Sequence, residues 1–239
     1  MTNKFTKLIF EDDFNQNKLD LNKWSIVHLG NGFGNNEWQF YREDSDNVSI
    51  INNQLVITCK QEVYEHRYFT SGKIQSRNKF SFKYGRVDIK AKVPTGNGLW
   101  PALWMMPENS KYGWWPVCGE IDIMESLGKD PSLIYGTIHY GLPHEYHGHQ
   151  TRIENIDDFH IYSLIWEEDV IIWLIDNIEV GRTSRWFSKK ESMNKYPAPF
   201  DQEFFLIINL AVGGNFSAYP DKTTKFPNQF IIDWVKVYQ

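Results

Sequence analysis

The chain has 239 residues, a mass of 28.2 kDa, a net charge of −5 and a pI near 5.8. That balance excludes a nucleic-acid binder, which needs a clustered basic surface to meet phosphate. Hydrophobic residues at 41% suffice for one large core, and the longest apolar run, Val170 to Ile175, is far too short to span a bilayer.

The amino end, Met1 to Phe14, shows no secretory signal, because its apolar stretch is short and is closed by Glu11, Asp12 and Asp13. Val48 to Cys59 reads as two strands joined at Asn52-Asn53, residues that tolerate the positive φ of a tight turn. Cys59 ends the alternating run Leu55-Ile57-Cys59, which puts a thiol in the core. Two cysteines, Cys59 and Cys118, make neither a disulfide framework nor a Cys-rich zinc site, and the sequence leaves open whether they are bridged. A strand is expected near 69–77. The run Val87-Asp88-Ile89-Lys90-Ala91-Lys92-Val93 alternates strictly, apolar on one side and charged on the other, as a half-buried strand does. Strands follow near 99–106, 119–126, 133–140 and 161–166, then a second hairpin, Val170 to Thr183, turning at Asp176-Asn177. Ser188 and Glu191 have capping-box spacing, which predicts one short helix. Strands near 203–212 and 229–238 complete the chain. No repeat or linker appears, so residues 1–239 are expected to form one domain. Many short strands with regular turns predict an all-β fold, a two-sheet antiparallel jelly-roll sandwich.

The informative segment is Gly119-Glu120-Ile121-Asp122-Ile123-Met124-Glu125-Ser126. Side chains alternate along a strand, so Glu120 and Asp122 share one face while Ile121 and Ile123 turn to the core. Glu125 is out of step by one residue and rejoins the acidic face only if a β-bulge near Ile123-Met124 absorbs the extra residue. Three acids on one face repel one another, and inert strands rarely concentrate like charges. Glycoside hydrolysis gives them a use: a retaining enzyme needs two carboxyls about 5–5.5 Å apart, one to attack the anomeric carbon and one to protonate the leaving oxygen. Asp122 between them should raise one or more carboxyl pKa values and can share a proton with Glu120. Gly119 suits a place where a ligand nears the backbone.

The same segment, GEIDIMES, resembles the signature of glycoside hydrolase family 16, in the form with an extra residue between the Asp and the second Glu. That form is typical of laminarinases, the endo-β-1,3-glucanases. The resemblance continues through NNEWQFY at 35–41, YGRVDIKAKVPTGNGLWPALWMMP at 84–107, WWPVCGEIDIMES at 114–126, YGTIHYG at 135–141, LAVGGNF at 210–216 and FPNQFIIDWVKVYQ at 226–239. It implies Glu120 as nucleophile, Asp122 as its partner and Glu125 as acid/base. It also implies a concanavalin A-like jelly roll with an open glycan cleft on its concave face. The expected partner is a β-glucan such as laminarin, with mixed-linkage β-1,3-1,4-glucan a further substrate. Neither nucleic acid nor membrane is an expected partner, and the chain is expected to be a monomer, secreted or at the cell surface because polymeric glucan lies outside cells. A galactan hydrolase of the same family and a non-catalytic glycan-binding module are the competing readings.

Aromatic residues make up 16% of the chain, with 10 Trp and 12 Tyr, more than a core of this size needs. Core packing accounts for many of them. Trp100 and Trp104 share a strand face by even spacing, and Trp115 sits just before the acids; in similar enzymes these positions are sugar-stacking walls. By the same resemblance His139 supports Glu125, and Asn36 and Arg86 contact sugar or steady the carboxylates; Arg86 equally suits a structural ion pair. Phe216 stands where many laminarinases have tryptophan. His144, His147 and His149 have poor spacing for zinc and read as a polar loop over the cleft. Asp233 is an acid on an otherwise apolar strand and needs a partner. The resemblance implies a structural calcium held by Glu11, a carbonyl near Asn53, and Asp233, with Asp12 and Asp13 nearby, and no cofactor for catalysis.

Overall fold

Period-two alternation becomes β-strand almost everywhere in the computed structural model, which describes residues 4–44, 46–188 and 196–239. Among the described residues there are seventeen strands and no helix. The helix expected after Ser188, through Glu191, lies outside them.

Two antiparallel sheets face each other. The outer sheet runs in the order Ile178–Thr183, Ile171–Ile175, His160–Trp166, Gly85–Lys92, Asn228–Tyr238, Gln54–Cys59 and Val48–Ile51, with Leu8–Asp12 also paired to Asn228–Tyr238. The inner sheet runs Glu145–Arg152, Asp130–Tyr140, Glu120–Leu127, Leu99–Pro107, Phe204–Val212, Lys73–Gln75 and Ser25–Ile26. Consecutive strands such as Gly85–Lys92 and Leu99–Pro107 belong to different sheets, which is the connectivity of a jelly roll.

The alternation decides what lies between the sheets. Val87, Ile89 and Ala91 from the outer sheet and Leu103, Met105 and Ile121 from the inner sheet enter one apolar core, and each buried aliphatic side chain contributes roughly 1.5–3 kcal/mol. Both hairpins turn where the sequence places them. Asn52 and Asn53 have φ of 53° and 58°, and Asp176 and Asn177 have 50° and 65°, the two successive positive values that match the strand twist. Cys59 and Cys118 are buried and free. Burial pushes their thiols up to about 12 and about 11, so neither is a ready thiolate.

Two expectations change. The run near 69–77 is broken at Gly72, where an added Cβ would lie 2.6 Å from Val48 Cγ2 and 2.9 Å from the Asn47 carbonyl oxygen. Phe69–Ser71 pairs in parallel with Gln39–Tyr41, while Lys73–Gln75 joins the inner sheet. The histidine-bearing segment is no loop: Glu145–Arg152 is the edge strand of the inner sheet, in register with Asp130–Tyr140 from Leu133↔Arg152 to Tyr140↔Glu145. Backbone pairing, rather than apolar side chains, holds it there.

Candidate active site

One extra residue brings three acids onto one face of the strand Glu120–Leu127. Against Leu99–Pro107, Asp122 pairs with Trp104, Met124 with Leu103 and Glu125 with Ala102, leaving Ile123 without a partner. Against Asp130–Tyr140, Glu120 pairs with His139, Asp122 with Thr137 and Glu125 with Tyr135. Ile123 and Met124 both enter the core, so this bulge resets the alternation and returns Glu125 to the face of Glu120 and Asp122. Gly119 does not leave room for a ligand. Its φ is +85°, and a Cβ there would meet Phe200 Cε1 and Pro199 Cγ at 2.9 Å, so protein packing is what requires glycine.

The acids floor a groove of about 1090 Å³ walled by Trp100, Trp104, Trp115, Tyr135 and Phe216. Asp122 is 3% exposed and Glu125 9%, while Glu120 opens partly to the groove. Burial raises the pKa of all three, because removing a carboxylate from water favours its neutral form. For Glu120 the negative Glu125 adds to this, and Lys73 and a hydrogen bond from Trp115 oppose it. For Asp122 both glutamates add to the rise, which takes it well above the usual carboxylate range. For Glu125 the indole of Trp100 opposes the rise by donating from Nε1 to Oε1 at 2.9 Å. The cluster therefore retains protons at pH values where isolated acids are ionised, as a site that must both donate a proton and carry a negative charge requires.

His139, opposite Glu120, turns Nε2 toward Asp122 Oδ2 at 3.4 Å; burial, and then neighbouring His144, hold its pKa down to about 4. Trp104 donates from Nε1 to Asn209 Oδ1 at 2.6 Å, and Asn209 Nδ2 donates to the Tyr41 hydroxyl at 3.1 Å. That chain locks the indole's orientation on the wall. Trp115 is half exposed at the rim, packed on His144 with ring centroids 4.9 Å apart. Phe216 lies edge-on to Trp100 at 5.3 Å and to Tyr135 at 5.2 Å.

Several groove residues escape the sequence reading. Lys73 is buried, with Nζ 4.6 Å from the Trp104 ring; burial lowers its pKa to about 8, against the pull of Glu37 and Glu120. Glu37 accepts from Gln39 Nε2 at 2.6 Å, and burial raises its pKa. Asn35, Tyr146 and Gln150 also line the groove. The alternation Glu37-Trp38-Gln39-Phe40 was the available signal for Glu37, although the structure buries its polar side; nothing local marks Lys73.

Other expected site residues lie elsewhere. Arg86 is not in the groove. It sits in the outer sheet, where Nε donates to Asp88 Oδ1 at 2.7 Å and Nη2 to Asn177 Oδ1 at 2.7 Å, because Val87 and Ile89 take the inward positions of that strand. Asn36 is exposed at φ 56° and donates to Asn215 Oδ1 at 3.0 Å; its neighbour Asn35 faces the groove instead. His147 is exposed and stacks on Tyr140, while His149 packs against Trp173, so the three histidines do not converge. At the chain ends, Glu11 Oε1 is 3.0 Å from Lys236 Nζ, and its carbonyl accepts from Lys23 Nζ at 2.7 Å. Asp233 pairs with Lys90 Nζ at 2.9 Å and accepts from Gln54 Nε2 at 3.0 Å. Asp12 accepts from Trp24 Nε1 at 2.8 Å, and Asn53 is an exposed turn residue. Calcium needs six or more free oxygens. Among the described residues the Glu11, Asp12 and Asp233 carboxylates turn to lysine, amide and indole N–H groups and do not converge on one position, so as placed they do not fit the ion.

The same fold recurs in known proteins. Residues 35–236 match the glycosyl hydrolases family 16. Over 97% of its length the chain is 39% identical to glucan endo-1,3-beta-glucosidase A1 of Niallia circulans, of which it spans 38%. Over 98% of its length it is 36% identical to a beta-glucanase of Rhodothermus marinus, of which it spans 85%. The X-ray structure of the laminarinase from Rhodothermus marinus superposes with a TM-score of 0.89 at 36% identity, covering 98% of this chain and 97% of that one. A family match that takes in the acid strand and strands of both sheets, together with relatives above 30% identity, leads to one conclusion: the chain belongs to glycosyl hydrolases family 16.

Proposed function

We propose that this chain hydrolyses internal β-1,3-glucosidic bonds of laminarin-type β-glucans with retention of configuration, Glu120 acting as nucleophile, Asp122 as its partner and Glu125 as acid/base. The observation that carries the reading is the bulge at Ile123, which sets three carboxyls side by side under tryptophan walls. Flat indole faces suit the apolar faces of glucose rings, and an open groove suits attack within a polymer. Retention is general for the family, and the relatives' glucanase names point to the same substrate class.

The split of roles follows the family resemblance, since burial raises both glutamates, Glu120 to about 8 and Glu125 to about 7, and does not by itself separate nucleophile from acid. Lys73 favours the ionised form of Glu120, which attacks the anomeric carbon. Glu125, whose neutral form burial favours and whose carboxyl Trp100 orients, protonates the leaving oxygen and then deprotonates the incoming water. Asp122, nearly sealed from solvent, gives up a proton as the charge on Glu120 disappears and takes it back as that charge returns. A non-catalytic glycan-binding module has no use for this acid cluster. For the chain ends we propose that backbone pairing and the Glu11–Lys236 ion pair, rather than calcium, hold Leu8–Asp12 against Asn228–Tyr238. Residues 1–239 acting as one monomeric domain on extracellular polymer complete the reading.

The test combines variants with substrates. Glu120→Gln and Glu125→Gln are each expected to lower kcat on laminarin by orders of magnitude with the fold and laminarin binding intact. Near-wild-type turnover in either variant refutes the roles. In a reducing-sugar panel of laminarin, lichenan, agarose and carrageenan, laminarin is expected to be cut fastest; cleavage of only the galactans refutes the substrate class.

A further inference from the structure

We propose that His139 and His144 form a two-imidazole proton relay that connects the buried Asp122 carboxyl with solvent. The inference rests on the hydrolytic reading above and assigns His144 a role in it.

The geometry is a continuous line of titratable atoms. Asp122 Oδ2 is buried and makes no hydrogen bond among the described residues, yet His139 Nε2 faces it at 3.4 Å. The other nitrogen of that ring, Nδ1, lies 3.1 Å from His144 Nε2. His144 is exposed at the groove rim. Both imidazoles are flanked by Trp115, at 6.1 and 4.9 Å between ring centroids, and by Tyr146, at 5.9 and 6.2 Å. The line therefore runs from the interior of the acid cluster to water between two aromatic walls. Asp122 is faced by Glu120 and Glu125 from its own strand and by His139 from the neighbouring one, while Lys73 pulls on Glu120.

Asp122 needs such an exit. When Glu120 becomes an ester its negative charge is gone, which removes one of the causes that keep Asp122 protonated. The proton must then leave a site that water scarcely reaches. Once the 3.4 Å gap closes to hydrogen-bond distance, Asp122 Oδ2–H donates to His139 Nε2, and His139 Nδ1–H donates to His144 Nε2. Asp122 passes its proton to His139 Nε2 as His139 passes the Nδ1 proton to His144 Nε2, and His144 releases its Nδ1 proton to water. Asp122 is left ionised, and each histidine has exchanged one neutral tautomer for the other. Hydrogen bonds now point the opposite way along the same line, and when water restores the Glu120 carboxylate the sequence runs backwards. No proton is gained or lost over the cycle.

Gln at position 144 can still accept from His139 Nδ1 but cannot pass a proton on, so it separates relay from mere orientation. His144→Gln and His144→Ala are both expected to lower kcat on laminarin by about tenfold, below the roughly hundredfold of a direct acid–base group because water replaces part of the path. KM and melting temperature are expected to stay at wild-type values. Millimolar imidazole is expected to restore His144→Ala. A wild-type kcat in His144→Gln, or a loss in His144→Ala that imidazole leaves unchanged, overturns the relay. Failure of the wild-type chain to hydrolyse laminarin would instead overturn the hydrolytic reading.

Discussion

Replacing Trp100 by phenylalanine keeps an aromatic face on the groove wall beside Phe216 but removes the indole N–H that Glu125 Oε1 accepts at 2.9 Å. A hydrogen bond to a charged group is worth about 1.5–3 kcal/mol. A neutral carboxyl still accepts a weaker one, so roughly half of that separates the two protonation states of Glu125, which is about one pKa unit at about 1.4 kcal/mol per unit. The sign follows from the donor's preference for the carboxylate: its loss raises a pKa that burial has already raised. Glu125 acts first as an acid, so the basic limb of the kcat/KM profile should move to higher pH by about one unit. The assay is the initial rate of reducing-end release from laminarin across the pH range, for wild type and Trp100→Phe. A basic limb that stays in place, or moves to lower pH, refutes the assignment of that limb to Glu125.

The remaining predictions concern stability. Asp122 has a folded-state pKa raised by burial and by both glutamates, so it costs no stability below its unfolded pKa of about 3.9 and progressively more as pH rises toward the folded value. Asp122→Asn is therefore expected to raise the melting temperature at neutral pH by several degrees, at roughly 2–4 °C per kcal/mol, with a gain that shrinks near pH 4; an unchanged or lowered neutral value contradicts the burial cost. Because Lys236 and Lys90 already neutralise Glu11 and Asp233, EDTA is expected to leave the melting temperature unchanged. A fall that calcium restores would show that an ion displaces the lysines.

The sheets were legible because period-two alternation is local. Val87 to Val93 and the turns Asn52-Asn53 and Asp176-Asn177 state their conformation in adjacent residues, and the out-of-step Glu125 announced its own bulge. Glu145–Arg152 was hidden because an edge strand held by backbone pairing needs no apolar side chains, and its glycine and histidines read as loop. Gly72 looked like one residue within a strand, yet contact with Val48 and Asn47 makes it the point where the chain changes sheets. The acids and tryptophans share one strand face each, so sequence spacing could find them. Lys73, Glu37 and Asn209 come together only through pairing between distant segments. For Arg86 the ion-pair reading holds, with Asp88, and the groove reading does not: alternation says which side of a strand it occupies but not which sheet the strand joins.

The anomeric configuration of the first product tests the central claim most directly. If Glu120 and Glu125 lie on one face at the roughly 5–5.5 Å of a retaining pair, no water fits between acid and sugar, and the reaction passes through a covalent glycosyl–Glu120 ester. Two displacements restore the starting configuration. Proton NMR of a laminarin digest, read before mutarotation, is expected to show new reducing ends first as the β-anomer. An initial α-anomer would mean a single displacement by water, a wider carboxyl pair, and a wrong account of this strand.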